Sequence, residues 1–325
     1  MNKILKVVIQ VLILILLIWA IIYFVDIRKA YINVSNADPK WVSAIIIISV
    51  LSHLCRAYRW KLMLQPLSYN PSLWHTFISV MTGYFVNIFN MRGGEALRSV
   101  VLLRSDKIPF TSSFATVMAE RVFDLLCLIV LIFFTLSVEF DRFYSFIQKE
   151  FLEKMVKYQN LLLAAIAVCI IIAVVLFVLR NKIKVVKKIY DYIISLFVQA
   201  INSFRLLDKK REFLIFTVLI WVGYYFTVYL AFFALPFPNN LDVWAGFVLL
   251  VLGAMAVSIP IPGNLGYIYI ITAACISFYK LDLDEGKTLA VLLYGTQLFT
   301  LLIIGGACAV VSLFLGDRKQ EKVVS

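Results

Sequence analysis

Residues 87–104, NIFNMRGGEALRSVVLLR, set three arginines, a glutamate and a glycine pair directly after an apolar run. Gly93-Gly94 breaks that run. A helix restarting there offers unpaired N–H groups and partial positive charge to an anion. Arg92 adds a forked donor shaped for phosphate. Glu95 and Arg98 are three apart, share a helix face and can pair. The competing reading is a turn whose arginines reach out to lipid headgroups, which leaves Glu95 unexplained.

A second cluster is Glu120, Arg121 and Asp124, well inside the apolar stretch 111–137. A charge at that depth costs roughly 2.5–3.5 kcal/mol on insertion scales. Glu120 and Asp124 are four apart on one helix face, with Arg121 about 100° round the axis. The three form either a functional polar core or a buried structural ion network. The third stretch is Ser258 to Gly266, SIPIPGNLG. Pro260 and Pro262 end a helix, and Gly263 and Gly266 permit tight backbone around Asn264. A tip of this kind inside a membrane must line a cavity or be buried in protein, with the next half-helix aimed at that cavity. A plain loop between two short spans is the alternative.

These residues need elements to position them, and composition says which. The chain is 62% hydrophobic and 15% charged, with mean hydropathy +0.93. A water-soluble domain carries more charge. Apolar runs of membrane-spanning length recur, continuous rather than alternating, so the fold class is an all-α integral membrane protein and not a barrel. Full spans are expected at 4–25, 41–62, 111–137, 160–180, 213–235 and 288–315. Two further apolar regions, 73–104 and 243–279, are broken at the glycine and proline stretches. Residues 4–25 follow Lys3 and Lys6 as a signal peptide would, but are too long and lack a cleavage pattern, so they read as an uncleaved span.

Lys and Arg decide how the broken regions run. If both are hairpins returning to their own side and the N-terminus is cytoplasmic, 21 basic residues face the cytoplasm, 9 face outside and Arg121 sits in a span. If residues 73–90 cross once, the balance becomes 11 to 19. The positive-inside rule selects the hairpins. The result is one polytopic membrane domain over 1–325 with pseudo-repeat halves 1–150 and 155–316. Each half reads span, span, re-entrant hairpin, span, in opposite orientation, and the tail 317–325 is cytoplasmic. That is an inverted-topology repeat. Residues 183–207 read as a helix on the cytoplasmic interface or one packed on the bundle.

The net charge of +12 follows from the orientation rule, so nucleic acid is not the expected partner. Five scattered cysteines without a CxxC pair read as packing residues. His53 and His75 are too isolated to make a metal site by themselves. No catalytic motif, metal site or cofactor site is read, and no nucleophile–base pair.

The three motifs in order resemble the lysylphosphatidylglycerol synthase transmembrane-region family, the flippase-like membrane domain also found in the multiple peptide resistance factor. The family's N…PxRxGExxR segment matches Asn87 to Arg98 through Arg92, Gly94, Glu95 and Arg98. Its ERxxD matches Glu120, Arg121 and Asp124, and its PGGxG break matches Pro262-Gly263-Asn264-Leu265-Gly266. Met91 replaces the proline before the first arginine, Asn264 replaces the second glycine, and Tyr269 stands where an acidic residue usually follows. The resemblance implies lipid transfer between the leaflets of a bacterial-type cytoplasmic (inner) membrane. Its substrate would be a phosphate-bearing, in some members aminoacylated, phospholipid, supplied by a separate lipid-modifying enzyme. No synthetase segment is read, so aminoacyl transfer is not carried over. Asn87, Arg92, Gly93, Gly94, Glu95, Arg98, Pro262, Gly263, Asn264 and Gly266 become substrate-binding candidates. Glu120, Arg121 and Asp124 become a charge network or proton site. A lipid-modifying transferase using the buried carboxylates and a secondary transporter for a soluble anion remain as alternatives.

Overall fold

The computed structural model describes residues 36–89, 93–146, 187, 204–236, 241–258 and 265–315. Among them every regular element is helical. In chain order these are α1 (Pro39–Leu64), a short 3-10 turn (Gln65–Leu67), α2 (Leu73–Phe89), α3 (Gly93–Asp106), α4 (Phe110–Val138) and α5 (Phe140–Phe146). Then come α6 (Lys210–Ala234), α7 (Val243–Ser258), α8 (Leu265–Tyr279), α9 (Leu283–Thr300), a π turn (Leu301–Gly305) and α10 (Gly306–Phe314). Four stretches are long and apolar enough to cross a bilayer: Pro39–Leu67, Phe110–Val138, Lys210–Ala234 and Leu283–Phe314. They coincide with four of the six expected spans. The other two, 4–25 and 160–180, lie outside the described residues, as does nearly all of 183–207.

Local chemistry sets the helix ends. Asp38 caps α1, its carboxylate accepting from the Lys40 N–H at 2.9 Å, and Pro39 suits the first helical position. Asp282 caps α9 with Glu285 reaching back, a reciprocal capping box. Two other ends match each other. Lys107 follows α3 at φ 58° and Lys280 follows α8 at φ 57°. In each case the next N–H bonds back six residues, Ile108 to Leu102 and Leu281 to Cys275, the left-handed helix stop that satisfies orphaned carbonyls. A membrane-length helix begins three residues after each lysine, at Phe110 and at Leu283.

The described residues fall into two compact units, those of Met1–Val117 with Leu207–Ser325 and those of Met118–Leu206. In the first unit α1 and α6 run antiparallel along their lengths. The Asp38 N–H meets the Ala234 carbonyl at 2.9 Å at one end. The Tyr58 hydroxyl donates to Glu212 at 2.7 Å at the other. Midway, Gly223 leaves room for Ser52, whose hydroxyl a Cβ would strike. Lys209, just outside the span, pairs with Glu212 at 3.1 Å. That contact holds its ammonium above the usual lysine range. α2 is flanked by α1, α3, the π turn and α10, while α6, α7, α8 and α9 pack in sequence. In the second unit Phe123 and Phe204 have ring centroids 5.6 Å apart.

Candidate functional site

The opening motif lies on a hairpin. α2 and α3 pair antiparallel with a constant register: Asn87 meets Gly94, Gly83 meets Arg98, and His75 meets Asp106. Glycine is required at the tip by space. A Cβ on Gly94 would collide with the Gly83 carbonyl and stand 2.7 Å from the Asn87 Oδ1, and one on Gly83 would lie 2.5 Å from the Arg98 Cγ. The Asn87 side-chain Oδ1 accepts the Gly94 N–H at 2.9 Å. That N–H, expected to face an anion, is therefore taken up within the hairpin. At the open end the His75 Nδ1 lies 2.9 Å from an Asp106 oxygen. At about 1.5 Å per residue, α2 and α3 are each shorter than the roughly 30 Å hydrocarbon layer.

Arg98 turns into the first unit and is 1% exposed. Its guanidinium carbon lies 4.4 Å from the Trp60 ring centroid, within cation–π range. The Trp60 indole N–H in turn donates to the Thr116 hydroxyl at 3.0 Å. Glu95, on the first turn of α3, is half-buried. Arg92 and the Pro262-Gly263-Asn264 break lie outside the described residues. Gly266 opens α8, and Tyr269, one of the family departures, is 75% exposed.

Glu120, Arg121 and Asp124 lie on α4, in the second unit. Glu120 is fully buried. Arg121 pairs with Asp124, Nη1 to Oδ2 at 3.6 Å, so a neutralising contact inside the span is made three residues along the same helix.

Sequence reasoning missed a row of polar residues on α1. His53, Arg56 and Arg59 recur every three residues and are each no more than 4% exposed. Arg56 and Arg59 entered the orientation count as cytoplasmic, but they sit inside the helix. Arg56 donates to the Tyr224 hydroxyl at 3.2 Å and Arg59 to the Thr217 hydroxyl at 3.4 Å. Without them the basic balance of the expected orientation is 19 to 9. The signal was the spacing HLCRAYRW itself. A three-residue repeat of polar groups beside a tryptophan marks one buried face, whereas snorkelling arginines carry no such period. Among the described residues no three His, Cys, Asp or Glu side chains gather as metal ligands would.

A family model described as the lysylphosphatidylglycerol synthase TM region matches residues 7–305. The chain belongs to that family. It is a multi-pass membrane protein, consistent with its four membrane-length apolar helices. Among curated proteins it is similar to the UPF0104 membrane protein MJ1595 of Methanocaldococcus jannaschii, 30% identical over 218 residues, 65% of this chain and 61% of that protein. It is also similar to the UPF0104 membrane protein PH1989 of Pyrococcus horikoshii, 28% identical over 138 residues, 40% of this chain and 39% of that one. A third relative is the glycosyltransferase AglD of Haloferax volcanii, 32% identical over 104 residues, 32% of this chain and 17% of that enzyme. The chain thus covers less than two thirds of each relative's length. No solved structure matches.

Proposed function

We propose that this family member moves a phosphate-bearing phospholipid, aminoacylated or not, between the leaflets of a cytoplasmic-type membrane. The observation that carries the reading is Arg98. It is a guanidinium buried on a hairpin too short to span, in a chain of the lysylphosphatidylglycerol synthase transmembrane family. A guanidinium held in a dry site is a strong phosphate ligand. Arg92, Gly93, Pro262, Gly263, Asn264 and Gly266 complete the groove in this reading, with Asn87, Gly94 and Glu95 fixing its wall. Glu120, Arg121 and Asp124 form a charge network or proton site of the cycle.

The architecture proposed is the inverted repeat, with six spans, two re-entrant hairpins and both termini cytoplasmic. The matched lysine stops support it. Lys107 and Lys280 lie 173 residues apart, and the same offset carries the starts of α1, α2, α3 and α4 to within three residues of those of α6, α7, α8 and α9. The corresponding spans α1 and α6 run antiparallel, as opposite orientation requires.

The test is reconstitution of purified protein into vesicles containing fluorescent phosphatidylglycerol, with a membrane-impermeant quencher outside. Faster loss of inner-leaflet protection than in empty vesicles is the expected result. No difference, across phosphate-bearing lipids and with an imposed proton gradient, would refute it. The likeness to a glycosyltransferase favours one second reading, membrane-embedded group transfer to a lipid. A new headgroup in the lipid profile that depends on this protein would select it.

A further inference from the structure

His53 has no part in the family motifs, yet it lies near the middle of a membrane-length helix. It stands roughly 16 Å along the axis from the Leu64 end, and Arg59 roughly 8 Å. Its ring is 4% exposed, and among the described residues neither ring nitrogen has a hydrogen-bond partner. Its neighbour across the α1–α2 contact is the Tyr84 ring, centroids 5.1 Å apart. A buried imidazole with both nitrogens unengaged costs stability, and an ionisable side chain at that depth points to a function. Hydroxyls can turn toward a helix carbonyl; an imidazole packed on a ring cannot.

The surroundings say what would engage it. His53, Arg56 and Arg59 form one face of α1, leading from the helix end to its middle. Trp60, one residue on, carries Arg98 over its ring. Arg56 donates to Tyr224 and Arg59 to Thr217, so the same unit buries three guanidiniums with Arg98, a side chain shaped for phosphate. An imidazole adds what arginine lacks, a nitrogen able either to donate or to accept. A phosphate with a bridging ester, hydroxyl or amine beside it presents both kinds of group.

We propose that His53 is the inner contact of a phosphate-binding path on α1, running Arg59, Arg56, His53, and that it hydrogen-bonds the phosphate-bearing ligand near mid-membrane. This rests on the reading of the substrate as phosphate-bearing. The shared chemistry is a phosphate group, on a lipid headgroup or free.

The experiment measures thermal unfolding of the detergent-purified full chain against three probes: dioctanoyl phosphatidylglycerol, dioctanoylglycerol and inorganic phosphate. Wild type, His53→Phe, His53→Gln and Arg98→Gln are compared. Phenylalanine keeps the ring contact with Tyr84 and removes the unengaged nitrogens. Without ligand, His53→Phe is expected to unfold at or above the wild-type midpoint. With phosphatidylglycerol its apparent affinity is expected to fall about tenfold, the loss of one hydrogen bond to a charged group, and His53→Gln to recover part of it. Dioctanoylglycerol shifts neither. A lowered ligand-free midpoint for His53→Phe would give the imidazole a structural role and overturn the proposal, as would wild-type affinity in that variant. If Arg98→Gln weakens binding and His53→Phe does not, His53 alone is wrong. If inorganic phosphate stabilises wild type through His53 and the lipid does not, the site stands and the lipid substrate fails. If neither stabilises wild type, both fail.

Discussion

The two hairpins share a backbone plan and differ in chemistry. Each is a pair of short helices that ends on a left-handed lysine three residues before a long helix. In α2–α3 the pairing is backbone against backbone at Gly83 and Gly94, with Arg98 buried behind it. The 173-residue offset puts Tyr267 in the place of Gly94 and Ile271 in the place of Arg98. Tyr267 rests its ring on Gly253, and Ile271 is fully buried. Neither α7 nor α8 carries a charged residue. The same offset replaces His53, Arg56 and Arg59 by Phe226, Tyr229 and Phe232. The buried cationic side chains of α1 and α3 thus correspond to uncharged residues at the offset positions of α6 and α8.

Substitutions break or sharpen that contrast. Gly94→Ala should have the largest effect, because its methyl meets backbone that cannot turn aside. We expect a loss of about 3 kcal/mol, read as a collapse of the detergent-purified protein's unfolding midpoint. Gly253→Ala meets only the edge of the Tyr267 ring, 2.7 Å away, which can swing, so about 1 kcal/mol is expected. Equal losses at the two sites would erase the difference between the hairpins. Asn87→Ala leaves the Gly94 N–H without its acceptor and should cost about 1 kcal/mol in the same measurement. His75→Ala removes a part-exposed pair at the open end, and less than about 1 kcal/mol is expected. The smallest effect should be at Gly295 in α9, where a Cβ meets nothing within 4 Å. Gly295→Ala should raise stability by about 0.5–1 kcal/mol through helix propensity.

Much of the scaffold was legible in the sequence because the bilayer imposes a simple length rule. Span bounds such as 41–62 and 213–235 fall within a few residues of α1 and α6. The hairpin at 73–104 was readable from the placement of Lys and Arg. The reason for its glycines was not. Gly93-Gly94 was read as a helix start for an anion, whereas Gly94 serves a close contact with Gly83, eleven residues upstream. That partner becomes visible only once the register of the pair is known. The row His53, Arg56, Arg59 was hidden for another reason. Hydropathy locates a span by its average, and two arginines toward one end look like an interface until their period with His53 places them on a single buried face.

The central claim is that Arg98, on the polar hairpin, handles the lipid phosphate. It is tested most directly by measuring translocation of fluorescent phosphatidylglycerol in matched vesicles for wild type, Arg98→Gln and Gly253→Ala, each first shown to be monodisperse. The account predicts that Arg98→Gln slows translocation about tenfold or more, the worth of a charge-assisted contact, while Gly253→Ala stays within about twofold of wild type. Wild-type rates in Arg98→Gln would contradict it.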